Sequence, residues 1–188
     1  MIRKIGTFFG LLLGTGIALF GVFIFNFLEP FSYQNRDLSA ILFEIGQNPF
    51  VGLYEFSWMG FKFNIFNFIF EFPTEPEKMQ YLIEEFLPVF LAWFSSGLIT
   101  GLLVVGIKRG LLFSFIVVAF FIILWLSFGV ITGANITFVF IENIFETGGC
   151  ILTALLSILI GGLIGGAISS TIFNKIEIKK AVKEMPLN

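Results

Sequence analysis

Four long runs of apolar residues without a charged side chain dominate this sequence. They cover residues 5–28, 87–107, 111–134 and 149–173. About 20 helical residues cross the 30 Å hydrocarbon core of a bilayer, and each run is at least that long. Backbone polar groups inside lipid must bond within their own segment, so each run is predicted to be a transmembrane helix.

The overall composition agrees with this interpretation. Charged residues make up 13% of the chain, whereas soluble domains carry about 25%. We therefore predict an all-α integral membrane protein, a four-transmembrane-helix bundle with a small extracellular helix/β-hairpin cap between spans 1 and 2. Residues 1–188 form a single membrane domain in this prediction, with the outer cap at 29–86 and a cytoplasmic tail at 174–188.

The alternative for the first run is the hydrophobic region of a signal peptide, because Arg3 and Lys4 precede it. Such regions contain about 7–15 apolar residues and end at a cleavage site flanked by small residues. The run over residues 5–28 is longer, and residues 25–30 contain no such site. We expect the first run to be a retained membrane anchor.

Basic residues predict the orientation of the bundle. In a four-span arrangement three separate basic clusters fall on the same side, which the positive-inside rule makes cytoplasmic. We expect an integral protein of the cell membrane with both termini in the cytoplasm and with loops 29–86 and 135–148 outside. The clusters are Arg3-Lys4, Lys108-Arg109, and the group of Lys175, Lys179, Lys180 and Lys183.

The first outer connection, residues 29–86, is too long to lack secondary structure in a compact protein. Asp37 is suited to cap a short helix that ends near Gly46, because apolar residues follow it at helical spacing. Thr74-Glu75-Pro76-Glu77 has the form of a capping box for a helix that continues into the second span. Two short helices are therefore expected in the cap.

Aromatic and polar residues alternate over residues 53–58 and 61–66, on both sides of Met59-Gly60. This pattern predicts a β-hairpin, and a re-entrant segment over residues 61–70 is the alternative. The hairpin either folds onto the helix ends as a cap or presents a docking surface, since an isolated hairpin needs a cover in water. The candidate docking residues are Phe56, Trp58, Phe61, Phe63 and Phe66.

Small residues recur with a four-residue step inside three of the four runs. Such ladders let membrane helices approach closely, either within one chain or at an oligomer contact or pore lining. We expect spans one, two and four to form the tight core and the bulkier span three to face lipid. The candidate helix-packing residues are Gly6, Gly10 and Gly14, then Gly97 and Gly101, and finally Ser157, Gly161, Gly165 and Ser169.

The residues that most enzymes and metal sites need are missing. The sequence has no histidine and one cysteine, Cys150, and no glycine-rich phosphate loop. None of the four apolar runs contains an ionisable residue of the kind that coupled transporters place at mid-membrane. We therefore expect no catalytic residue, no cofactor and no metal site.

These observations favour a non-catalytic membrane subunit or scaffold that packs through its small-residue helix faces and its aromatic cap. The alternative is a small channel or transporter, whose acidic outer face would concentrate cations. The expected partners are the lipid bilayer and other membrane protein subunits or further copies of the chain. Nothing in the sequence indicates binding of nucleic acid or of a small-molecule substrate.

The predicted orientation can be tested by cysteine labelling in a Cys150→Ala background. Cysteines introduced at Lys62 and Glu146 should react with an impermeant thiol reagent on intact cells. Cysteines at Lys108 and Lys179 should react only after permeabilisation, because the basic side is held in the cytoplasm. Labelling of the Lys179 position on intact cells would contradict the predicted orientation, by an odd number of spans if Lys62 is also labelled and by an inverted bundle if it is not.

Overall fold

The computed structural model describes residues 2–27, 29, 31–33, 36–70, 82–135 and 143–183, which are mostly helical. Four helices are long and apolar enough to cross a membrane, which confirms four such helices at the predicted places. In chain order the elements are α1 (Ile2–Ile24), β1 (Ser32–Tyr33), β2 (Arg36–Asp37), α2 (Leu38–Gln47), α3 (Pro49–Met59), α4 (Ile65–Phe70), a π-helical turn (Leu82–Phe86), α5 (Leu87–Val104), α6 (Ile107–Thr132) and α7 (Ile144–Lys183).

The ends of the long helices differ from the predicted boundaries. The turn between α5 and α6 consists of Val105 and Gly106, not of Lys108 and Arg109, which are exposed in the first turn of α6. Gly106 has a φ of 116°, a backbone conformation that glycine adopts without a steric penalty. The last long helix begins at Ile144 rather than at residue 149.

The pair of α5 and α7 forms the centre of the bundle. Helix α1 packs on α5, and α6 packs on both central helices. Half of the apolar stretch of α5 is buried and 44% of that of α7, against 33% for α1 and 28% for α6. Helix α6 is therefore the least buried of the four, as expected. The sequence pattern also predicted α1 as part of the core, but α1 packs mainly on α5 of the two central helices and is almost as exposed as α6.

The cap begins with a short antiparallel ladder that pairs Ser32 with Asp37 and Tyr33 with Arg36. Helix α2 follows directly, with Asp37 at its N-cap position, which confirms the short helix expected there. The capping box at residues 74–77 lies outside the described residues.

The β-hairpin predicted over residues 53–66 is wrong, because these residues form α3, a short connection and the start of α4. Pro49 occupies the first turn of α3, where its missing N–H is not needed. The side chains that α3 buries include Phe56 and Met59, which with Gly52 are spaced by four and three residues. That spacing is the helical period, and burial on this face outweighs the alternation of aromatic and polar residues.

Candidate functional site

Helices α5 and α7 touch backbone to backbone along a line of glycines, which we call the glycine seam. Gly97 and Gly101 of α5 and Gly161 and Gly165 of α7 are all buried in it. A Cβ on any of them would overlap main-chain atoms of the other helix: those of Ile158 and Gly162 for Gly97, of Gly162 and Gly166 for Gly101, of Phe94 and Leu98 for Gly161, and of Leu98 and Leu102 for Gly165.

The glycines of α1 lie against α5 on a different line. Gly6 faces the carbonyl oxygen of Leu103, and Gly10 and Gly14 lie beside Thr100. The Oγ of Ser96 donates a 2.7 Å hydrogen bond to the carbonyl of Gly14, and the Oγ1 of Thr100 donates a 3.2 Å bond to that of Gly10. Two hydroxyls therefore tie α1 to α5 inside the apolar layer.

The two serines predicted for the α7 packing face have different environments. The Oγ of Ser157 donates to the Thr153 carbonyl of its own helix. The Oγ of Ser169 reaches across to the Gly101 carbonyl at 3.1 Å and accepts a bond from the Gly106 N–H at 3.4 Å. Ser169 thus fixes the tight turn between α5 and α6 to α7.

A contact of three helices on the glycine seam was not predicted from the sequence. Gly110 of α6 lies against the Gly162 carbonyl and the Cα of Gly101. Gly110 lies just before the predicted third span, although the four-residue step of Gly106, Gly110 and Ser114 could have indicated the contact. Beside it the Oγ of Ser114 is fully buried, and it has no hydrogen-bond partner among the described residues.

The structure places most of the predicted docking surface inside the protein. Phe61 and Phe63 have no exposed surface and Phe56 is 5% exposed, so these three side chains are core residues. Trp58 and Phe66 are half-buried. Of the two predicted roles, the burial of these residues fits a cap folded onto the helix ends better than a docking surface, and the cap is built from α3 and the connection after it rather than from a hairpin.

Aromatic side chains pack α3 against the ends of α1, α5 and α6. Trp58 stacks on Trp125 of α6 with ring centroids 4.6 Å apart, and Phe56 packs against Phe23 of α1 at 5.9 Å. The Nε1 of Trp93 in α5 donates a 2.7 Å bond to the Gly60 carbonyl. Trp93 lies six residues inside α5, about 9 Å at 1.5 Å per residue. Helix α3 is therefore recessed into the bundle.

A cluster of charges joins the cap elements above α3. The Nη1 of Arg36 lies 2.9 Å from the carboxylate of Glu55 and 3.7 Å from that of Glu44. Lys62 is half-buried beside them, and its burial, followed by the charge of Arg36, lowers its pKa, while Glu55 and Glu85 oppose this change. The acids and bases compensate one another, which is typical of a structural network.

The outward face of α2 is apolar and exposed. Phe43 is 69% exposed, and Leu42 and Phe50 are each about half exposed. Helix α2 packs on α3 and β2, so Leu42 and Phe43 project away from the bundle, and the exposed Phe50 lies beside them in the first turn of α3. We call Leu42, Phe43 and Phe50 the α2 face.

A second open apolar surface lies between α1 and α6, in the half of the bundle away from the cap. It is a groove of about 380 Å³, which we call the α1/α6 groove. Apart from one threonine its lining is apolar: Phe8, Leu11, Leu12 and Thr15 from α1, and Ile116, Val117 and Phe120 from α6.

Comparisons of the chain with protein-family models, with curated proteins and with solved structures find no match. The candidate sites therefore rest on geometry alone. Three surfaces emerge from it: the internal glycine seam, the α2 face and the α1/α6 groove.

The glycine seam yields a stability prediction. Gly161→Ala should lower the free energy of unfolding by about 1–3 kcal/mol, because its Cβ overlaps the Phe94 carbonyl and forces the helices apart. The measurement is thermal unfolding of the protein in mild detergent. Gly148→Ala on the same helix is the matched control, since its Cβ meets open space. Equal effects of the two changes would contradict a close contact at Gly161.

Proposed function

We propose that this chain is a non-catalytic integral membrane subunit that packs against partner membrane proteins, with its basic end in the cytoplasm. The observation that carries the proposal is the state of the hydroxyl groups buried in the bundle. Those of Ser96, Thr100 and Ser169 bond to carbonyls of another helix. Those of Thr153 and Ser157 bond to carbonyls of their own helix.

The hydrogen bonds of these five hydroxyls argue against a route for ions or polar solutes, and the buried hydroxyl of Ser114, which has no partner among the described residues, is the exception. Such a route needs polar groups that can replace the water around the solute. Along α5 and α7 the glycines instead bring the two backbones into contact, which leaves no space for water between them. At the other end of the bundle the recessed helix α3 covers the interior with Phe56, Phe61 and Met59, all buried.

The alternative function, a small channel or transporter, draws on the acidic residues of the cap. Glu29, Asp37 and Glu146 are exposed at that end of the bundle, where they would attract cations. An attractive surface does not by itself conduct, and the bundle beneath it is closed by α3. The subunit function is therefore the better supported of the two.

The partner surface that we propose is the α2 face. Leu42 and Phe43 are exposed on α2, which packs on α3 and β2 rather than on the long helices, and Phe50 is exposed at the start of α3. Exposed aromatic side chains that cluster in this way are typical of protein–protein contacts. The small-residue faces of α5 and α7, in contrast, are filled by contacts inside the chain.

The two functions predict different outcomes in liposomes. The purified protein should give no ion flux above that of empty liposomes, because the bundle offers no hydrated path. Flux is measured with a fluorescent ion indicator trapped inside the liposomes. Robust flux from the protein alone would favour the channel and overturn the subunit proposal.

The α2 face can be tested by mutation. Phe43→Ser should reduce the recovery of a co-purifying membrane protein about tenfold or more after mild detergent extraction, because an exposed aromatic anchor is lost. The readout is quantitative mass spectrometry of the eluted proteins. Phe145→Ser is the matched control, since Phe145 is 79% exposed but lies on α7. A loss shared by both variants, or seen with neither, would contradict docking at the α2 face.

A further inference from the structure

The half of the bundle away from the cap has an apolar groove, and an exposed cation lies on the same face of α6 as the groove. Arg109 is exposed in the first turn of α6, and Ile116 and Phe120 line the α1/α6 groove further along. At 100° per residue, Ile116 and Phe120 each lie within about 20° of Arg109 around the helix. Arg109 is therefore in line with the groove, whereas the neighbouring Lys108 is about 100° away.

The distances along α6 match one leaflet of a bilayer. Arg109 and Phe120 are separated by about 16 Å at 1.5 Å per residue. Half of the 30 Å hydrocarbon core is about 15 Å. When the guanidinium of Arg109 lies at the level of the headgroups, Phe120 at the far end of the groove therefore lies near the middle of the membrane.

The lining of the groove favours a hydrocarbon chain as its occupant. Membrane helices pack closely on one another through small residues. The groove is lined instead by large apolar side chains, among them Phe8, Leu12, Ile116 and Phe120. A flexible hydrocarbon chain follows such an uneven apolar surface better than a rigid helix does.

We propose that the α1/α6 groove and Arg109 together form a binding site for one anionic phospholipid of the leaflet at the basic end. One hydrocarbon chain lies in the groove against Leu12 and Ile116, and the headgroup phosphate accepts hydrogen bonds from the guanidinium of Arg109. Arginine suits this role because its planar donors match two phosphate oxygens. The site is separate from the α2 face.

Native mass spectrometry of the detergent-purified chain tests this site, with phosphatidylglycerol and phosphatidylcholine titrated separately. The wild-type chain should retain one phosphatidylglycerol molecule in preference to phosphatidylcholine. Arg109→Gln should weaken retention of phosphatidylglycerol about five- to tenfold and abolish the preference. Arg109→Lys should keep most of the retention and most of the preference for phosphatidylglycerol. Lys108→Gln should change neither the retention nor the preference.

The groove is tested by filling it. Ile116→Trp should reduce retention of both lipids, because the indole occupies the volume of the hydrocarbon chain. Phe115→Trp is the matched control, since Phe115 is an exposed neighbour that does not line the groove. Elution of each variant as a single symmetric peak in gel filtration shows that it is folded, and the elution volume reports its oligomeric state.

Three results would overturn the proposal. Arg109→Gln and Lys108→Gln could weaken retention equally, which would show general attraction to the basic end. Ile116→Trp could leave lipid retention unchanged, which would show that no chain enters the groove. Finally, Ile116→Trp could dissociate an oligomer without affecting lipid, which would make the groove a contact between copies of the chain.

Discussion

The contact between the backbones of α5 and α7 is the interaction on which the rest of the bundle depends. Lipid tails are as apolar as leucine, so helices in a membrane gain little by hiding apolar side chains from lipid. They associate where their surfaces fit closely. The glycine seam provides this fit, because Gly97, Gly101, Gly161 and Gly165 lie directly against the opposite main chain.

The other elements are added to this central pair by polar and aromatic contacts. Two hydroxyls of α5, on Ser96 and Thr100, bond to carbonyls of α1, and Ser169 of α7 holds the turn that leads into α6. Each of these hydrogen bonds has two effects. It attaches an outer helix to the central pair, and it gives a buried hydroxyl a partner.

The long helices could be predicted from the sequence because charge-free runs have one stable form in lipid. The fold of residues 53–66 could not, since alternating aromatic residues fit either a hairpin or a helix until the surface they cover is known. Phe56 and Met59 of α3 cover the interior of the bundle at helical spacing, and Phe61 and Phe63 cover it from the connection that follows α3. The contribution of Gly110 was missed because Gly110 lies just before the predicted third span, although Gly106, Gly110 and Ser114 have the four-residue step of the other spans. Its role depends on Gly101 and Gly162, which meet it only in the fold.

The α1/α6 groove also has no signature in the sequence, and its origin explains why. Helices α1 and α6 run in the same direction on the outside of the central pair, and each packs mainly on that pair rather than on the other. The space between them is therefore set by the width of the helices they flank, not by side chains chosen to meet across it. At the cap end α3 fills this space with Phe56 and Trp58. In the other half no element of the described residues fills this space, which is where we propose that one lipid chain binds in line with Arg109.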